Sequence, residues 1–179
     1  MKEPFSDPAV RRMKTSDLPS CAEIVGRTPL FGAYGFTTEG ARKLLSKALR
    51  DTSSKLFVAL APDRQTPTGF AWFITRGAFQ RSAYLRLIAV DPAGTQKGVG
   101  SALLKKFEKR YLEPYGIFLL VTRSNIGARR FYRKLGYRRV GEVPDYVKNG
   151  ITECIYFKAP FKTTAPSTKK RLALAARSR

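Results

Sequence analysis

The chain has 179 residues, the size of one ordinary domain, and its 43% apolar and 26% charged content is globular. It holds no histidine and only two distant cysteines, Cys21 and Cys154; that excludes Ser–His and Cys–His catalytic pairs, histidine-ligated metals, a disulfide scaffold and a thiolate zinc site. With 34 Lys and Arg against 13 Asp and Glu, the net charge of +21 draws polyanions, whether nucleic acid, an anionic membrane surface or a phosphorylated cofactor.

No apolar run is long enough to span a membrane, and the first twelve residues lack the apolar stretch of a secretion signal. The expected compartment is therefore the cytosol. Residues 1–160 are expected to form one domain, followed by a flexible basic tail over 161–179. That tail carries Lys162, Lys169, Lys170, Arg171, Arg177 and Arg179 and no acidic residue. Its small, polar and cationic residues are those of a solvated terminus, with 171–177 able to form a short helix against an anionic partner.

In chain order, 9–13 reads as a strand, and Thr15, Ser16 and Asp17 are capping residues ahead of a first helix. Residues 29–37 connect this helix to the next. Thr37 or Thr38 caps the second helix, where Ala41, Leu44, Leu45, Ala48 and Leu49 share one face. Three strands follow over 56–61, 69–75 and 84–90, separated by turn formers, as an antiparallel meander requires. A helix over 101–112 leads to an apolar strand over 116–122. A further helix over 125–135 stops at Gly136. Strands over 137–143 and 151–157 close the domain around Asn149–Gly150. The order predicts an α/β domain with one mixed sheet.

The informative junction runs from Val90 through Gly94, Gly98 and Gly100 into the helix at Ser101. Glycines let backbone amides turn toward a ligand, and a helix N-terminus adds partial positive charge, so the pair suits a phosphate. A dinucleotide fingerprint fails, because Leu103 stands where its third glycine belongs. A Walker loop fails too, because Val99–Gly100–Ser101 stands where Gly–Lys–Ser/Thr belongs.

The stretch LIAVDP…KGVGSALL nevertheless resembles the acetyl-coenzyme A (acetyl-CoA) loop of the GNAT family of N-acetyltransferases. Downstream, NIGARRFYRKLGY is similar to a second motif of that family. Asn125, Ala128, Phe131, Tyr132, Lys134, Gly136 and Tyr137 fall on its pattern. The resemblance covers roughly residues 10–157 and includes the order of elements. The family's usual Arg or Gln three places before the first glycine is Thr95 here, with Gln96 one place later.

What the resemblance implies is a GNAT fold, with a mixed, mostly antiparallel central sheet flanked by helices, and acetyl transfer from acetyl-CoA, a co-substrate, without metal. The acceptor would be a primary amine of a small molecule or amino acid, or of a peptide or protein. Ile88, Ala89 and Val90 would pair with the pantetheine arm through their main chain. The pyrophosphate would rest on Thr95, Gln96, Lys97, Gly98, Val99, Gly100 and Ser101, with Lys97 as a point charge. Asn125 would contact the arm, and Lys134 would reach the phosphates. Tyr132 would protonate the departing sulfur, a task that suits a phenol with a pKa of ~10.

The base is open. Family members often carry a glutamate at the place of Tyr84, or at that of Leu120, five residues before Asn125. The missing glutamate at Leu120 weighs against acetylation of protein N-termini. Glu142, Asp145 and Glu153 are the remaining acids near the expected cleft, and Asp145 also suits a plain turn. Residues 29–37, with Phe31, Tyr34 and Phe36, would roof the acceptor pocket. The competing reading is a basic protein of the same fold that binds RNA or ribosomes with weak or no catalysis. Monomer and homodimer are both compatible with the sequence.

Overall fold

The computed structural model describes residues 8–94 and 98–160. The expected tail over 161–179 lies outside the described residues. The strands are β1 (Ala9–Arg12), β2 (Ser54–Leu60), β3 (Pro67–Ala78), β4 (Ser82–Val90), β5 (Ile117–Thr122), β6 (Arg138–Pro144) and β7 (Thr152–Lys158). The helices are α1 (Leu18–Arg27), α2 (Pro29–Ala33), α3 (Thr38–Arg50), α4 (Val99–Tyr111) and α5 (Ile126–Lys134). One seven-stranded sheet runs β1-β2-β3-β4-β5-β7-β6. Its neighbours are antiparallel except β4 and β5, which are parallel. Among the described residues no helix is long and apolar enough to cross a membrane.

Local chemistry sets the helix ends. Thr37 caps α3 by accepting the Gly40 N–H at 3.0 Å, and Lys47 and Arg50 complement the C-terminal dipole. Asn125 caps α5 by accepting the Ala128 N–H at 3.0 Å. The chain leaves α5 through Gly136 at φ +86°, a left-handed turn that glycine takes without strain. Ahead of α1, the Asp17 carboxylate accepts from the Lys14 amide and pairs with Arg11, each at 2.7 Å. Burial pushes its pKa up, yet Arg11 and the Lys14 amide outweigh that and hold it below the usual range.

Two apolar layers cover the sheet. Cys21, Ile24 and Val25 of α1 and Ala41, Leu45 and Ala48 of α3 pack on one face, against Leu56, Val58, Phe70 and Trp72. On the other face α4 and α5 bury Leu103, Leu104, Phe107 and Tyr132 against Phe57, Phe73, Leu85 and Tyr156. Phe73 and Phe107 stack with centroids 3.7 Å apart, joining sheet to helix. Cys21 and Cys154 are free thiols, one buried in each layer.

One irregularity positions everything that follows. Trp72 pairs with Leu87, but the next residue, Phe73, pairs with Leu85, so Arg86 is an extra residue in β4. Such a bulge bends a strand and shifts the phase of its side chains. Leu85 and Ile88 consequently pack on the α4–α5 side, whereas Leu87 and Ala89 pack on the α1–α3 side. Beyond the bulge β4 and β5 part. Ala83, Tyr84 and Leu85 pair with Ile117, Phe118 and Leu119, while 86–90 and 120–122 have no partner across the gap.

Sequence periodicity predicts a connector over 29–37, and the structure places the single-turn helix α2 inside it. Pro29 at the first helical position favours that turn. Gly35, at φ +81°, reverses the chain after it.

Candidate active site

The gap between β4 and β5 opens into a cleft of about 170 Å³. Its floor is the parted strands, including Tyr84, Arg86, Ile88 and Thr122; α5 supplies Tyr132 and its cap Asn125 supplies a second edge. Phe31, Tyr34 and Phe36, in and after α2, form the roof together with Val147 from the β6–β7 loop. Lys148 of that loop donates its ammonium to the Ala33 carbonyl at 2.5 Å, tying the two parts of the roof together.

The main chain of Ile88, Ala89 and Val90 is bound to β3 on one side only, through Ala71, Phe70 and Gly69. Its other side faces the gap, the geometry a pantetheine arm needs for strand-like pairing. Ile88 lines the cleft, Ala89 is buried beneath it and Val90 is exposed at its end. Gly98 enters α4 at φ +87°, a conformation open to glycine, and among the described residues a Cβ there would meet no atom nearer than Pro8 at 4.0 Å.

The remaining loop residues divide by role. Val99 is buried in the core, and a Cβ on Gly100 would meet the Phe131 ring at 3.0 Å. Gly100 therefore lets α4 approach α5, a packing role that the loop reading does not include. Ser101 is half-buried in the first turn of α4. Thr95, Gln96 and Lys97 lie outside the described residues. Asn125 spends its carbonyl oxygen on the α5 cap while lining the cleft, and Lys134 is exposed in the last turn of α5.

Of the three acids left open by the sequence, one enters the cleft. Glu153 on β7 is buried and lines it. Tyr34 donates its hydroxyl to Glu153 Oε1. The Thr122 hydroxyl lies 2.5 Å from Tyr34 Oη and must then be the donor in that contact, since Tyr34 has one proton. Burial, then the bond to Glu153, pushes the Tyr34 pKa up to about 12, so this donor stays protonated at neutral pH. Asp145 instead occupies a turn at φ +54° and accepts the Gly150 N–H at 2.6 Å. Glu142 pairs with Arg139 and accepts from the Cys154 thiol.

Tyr132 is buried, its ring edge-on to Phe131 and Tyr137 at 5.1 and 5.7 Å between centroids. Burial raises its pKa, which keeps the phenol protonated. Tyr84, at the place of the family glutamate, is also raised by burial, against the opposing charge of Arg86. The cleft thus holds a carboxylate, a protonated phenol and a bare strand edge. Among the described residues no group of His, Cys, Asp or Glu side chains is placed to hold a metal ion.

A parallel strand pair that parts beside a glycine-initiated helix defines an acetyltransferase-type α/β domain. The chain belongs to the acetyltransferase (GNAT) family, whose model matches residues 19–137. It is 47% identical over 45 residues to tRNA uridine(34) acetyltransferase of Methanocaldococcus jannaschii, covering 25% of this chain and 8% of that protein. It is 37% identical over 70 residues to N-acetylaspartate synthetase of Danio rerio, covering 38% of this chain and 25% of that protein. The chain thus spans a quarter or less of the length of these two relatives. A GNAT-family acetyltransferase of Bacillus cereus shares the fold, with a TM-score of 0.70 at 19% identity over 88% of this chain and all of that one.

Proposed function

We propose that the protein transfers an acetyl group from acetyl-CoA to a primary amine. The observation that carries this reading is the convergence of Glu153, Tyr132 and the unpaired edge of Ile88 on one cleft. Acetyl-CoA would supply the thioester-activated acetyl group. Ile88, Ala89 and Val90 would hold its arm through main-chain groups, and the turn from Gly98 to Ser101 its pyrophosphate.

Glu153 takes a proton from the acceptor ammonium, leaving the nitrogen lone pair free to attack. The C–N bond forms as the C–S bond breaks, and Tyr132 Oη gives its proton to the sulfur. The second proton lost by nitrogen restores the phenol. Glu153 returns the first to water, so each turnover yields one amide, one thiol and one proton. Thiol release from acetyl-CoA across a panel of amines and peptides tests the reading directly.

Acetyl-CoA at a hundredfold its Kd is expected to raise the melting temperature by roughly 5–10 °C. Gly98→Val should abolish that shift, because a branched side chain both strains the φ +87° backbone and blocks the phosphate approach. Thermal unfolding with and without acetyl-CoA measures it. Parental affinity in the variant would refute this placement of the site.

A second reading, association with RNA, is favoured by the charge of one face. Lys105, Lys106, Lys109 and Arg110 of α4 and Arg130, Arg133 and Lys134 of α5 are exposed on helices that pack on the same side of the sheet. RNA binding that falls steeply with salt, without thiol release from any amine, would decide for it.

A further inference from the structure

We propose that the acceptor carries a carboxylate beside its amine, as a free amino acid does, and that Arg86 binds it. The inference rests on the acetyl-transfer reading and names its acceptor class. Among the described residues the cleft is lined by one cationic and one anionic side chain, Arg86 and Glu153. They come from different strands of the sheet, Arg86 from the bulge of β4 and Glu153 from β7 beyond β5. The ion pairs among the described residues include neither of them. Two opposite charges that face one cavity without meeting are complementary to a zwitterion placed between them.

Arg86 is the extra residue of the bulge, and its side chain is exposed and lines the cleft. Its guanidinium is 5.9 Å from the centroid of the Trp72 ring, a neighbour that orients the group without consuming its donors. A guanidinium so held offers two parallel N–H donors to a carboxylate, a geometry that an ammonium or a neutral amide does not match.

Glu153 meets the other end. It already accepts from Tyr34, which fixes the carboxylate and leaves its second oxygen for the ammonium. The roof from Phe31, Tyr34 and Phe36 closes an apolar wall over the middle of the acceptor. The charge of the whole chain, +21, repels a polycationic acceptor and does not oppose a net-neutral zwitterion.

The test compares matched acceptors with full-length protein and acetyl-CoA: the twenty amino acids, their α-carboxamides, the decarboxylated amines and an unstructured hexapeptide, all read by thiol release. At least one amino acid should exceed its carboxamide in kcat/KM by roughly 10–150-fold, mainly through KM. Arg86→Gln should bring that ratio close to one, and Arg86→Lys should restore part of it. Carboxamides or the hexapeptide turning over as well as every amino acid would overturn the carboxylate assignment and leave acetyl transfer standing. An acid-over-amide preference unchanged in Arg86→Gln would remove Arg86 from the role. No thiol release from any amine, with acetyl-CoA bound, would overturn acetyl transfer itself. The acid–amide comparison needs no variant, so the proposal stays open to refutation even if both Arg86 variants misfold.

Discussion

Replacing Glu153 with glutamine is expected to lower kcat by about 10²–10⁴-fold at neutral pH, the usual contribution of a positioned base. Glutamine is nearly isosteric, and its carbonyl can still accept the Tyr34 hydroxyl, so the pocket keeps its shape. Affinity for acetyl-CoA should hardly change, because the arm is assigned to main-chain groups of β4, whereas Glu153 is a side chain of β7. The pH profile separates chemistry from packing. In the variant only amine that is already neutral can react, and that fraction grows about tenfold per pH unit below the amine pKa. The deficit against the parent should therefore shrink as pH rises. A deficit constant with pH would mean that Glu153 merely shapes the pocket, and parental kcat with acetyl transfer rate-limiting would end its role as base.

How much of this can be read before folding depends on how local each determinant is. The amphipathic stripe of α3, its Thr37 cap and the stop at Gly136 are written within a few residues, and sequence reasoning finds them. The glycine junction after Val90 and the run from Asn125 to Tyr137 are local too, and the family follows from them. The single turn of α2 is too short to show a helical period, so the stretch reads as a connector.

The choice among Glu142, Asp145 and Glu153 is of another kind. All three lie within twelve residues on one hairpin, and only the register of β7 against β5 and β6 turns Glu153 inward. Val143 and Thr122 sit opposite it in that register, and Tyr34 reaches it from 119 residues away. Nothing near Glu153 in the chain signals either contact. Asp145 is open to two readings in the sequence, and its left-handed turn with Gly150 shows the turn-forming one.

Arg86 is hidden for the same reason. YLRLIAV reads as one strand of the meander, and nothing in the run itself marks Arg86 as an extra residue. The bulge is visible only in pairing with Trp72 and Phe73, which belong to a neighbouring strand. Gly100 shows the converse. Its motif position suggests a ligand, while the Phe131 ring, 3.0 Å from a Cβ placed there, shows that a side chain would also crowd the contact between α4 and α5.

Removing one hydroxyl, as Tyr132→Phe, is expected to reduce kcat by roughly 10²-fold, the low end for general acid catalysis because a thiolate is already a tolerable leaving group. Folding should change little. The ring keeps its edge-on contacts with Phe131 and Tyr137, and phenylalanine fills the same space in the core. Tyr137 offers no substitute donor, since its hydroxyl is committed to Glu108 at 2.9 Å. Burial holds the Tyr132 phenol protonated well above neutral pH, so the proton is present whenever sulfur departs. The loss should fall on kcat and leave the Kd of acetyl-CoA near the parental value, because the proton is needed only as the C–S bond breaks. Acyl donors with more acidic thiols supply the decisive comparison. They need less help from an acid, so the gap between variant and parent should narrow as the thiol pKa falls. A Tyr132→Phe enzyme with parental kcat while bond breaking limits the rate, or a gap that ignores the leaving thiol, would reduce Tyr132 to a packing residue.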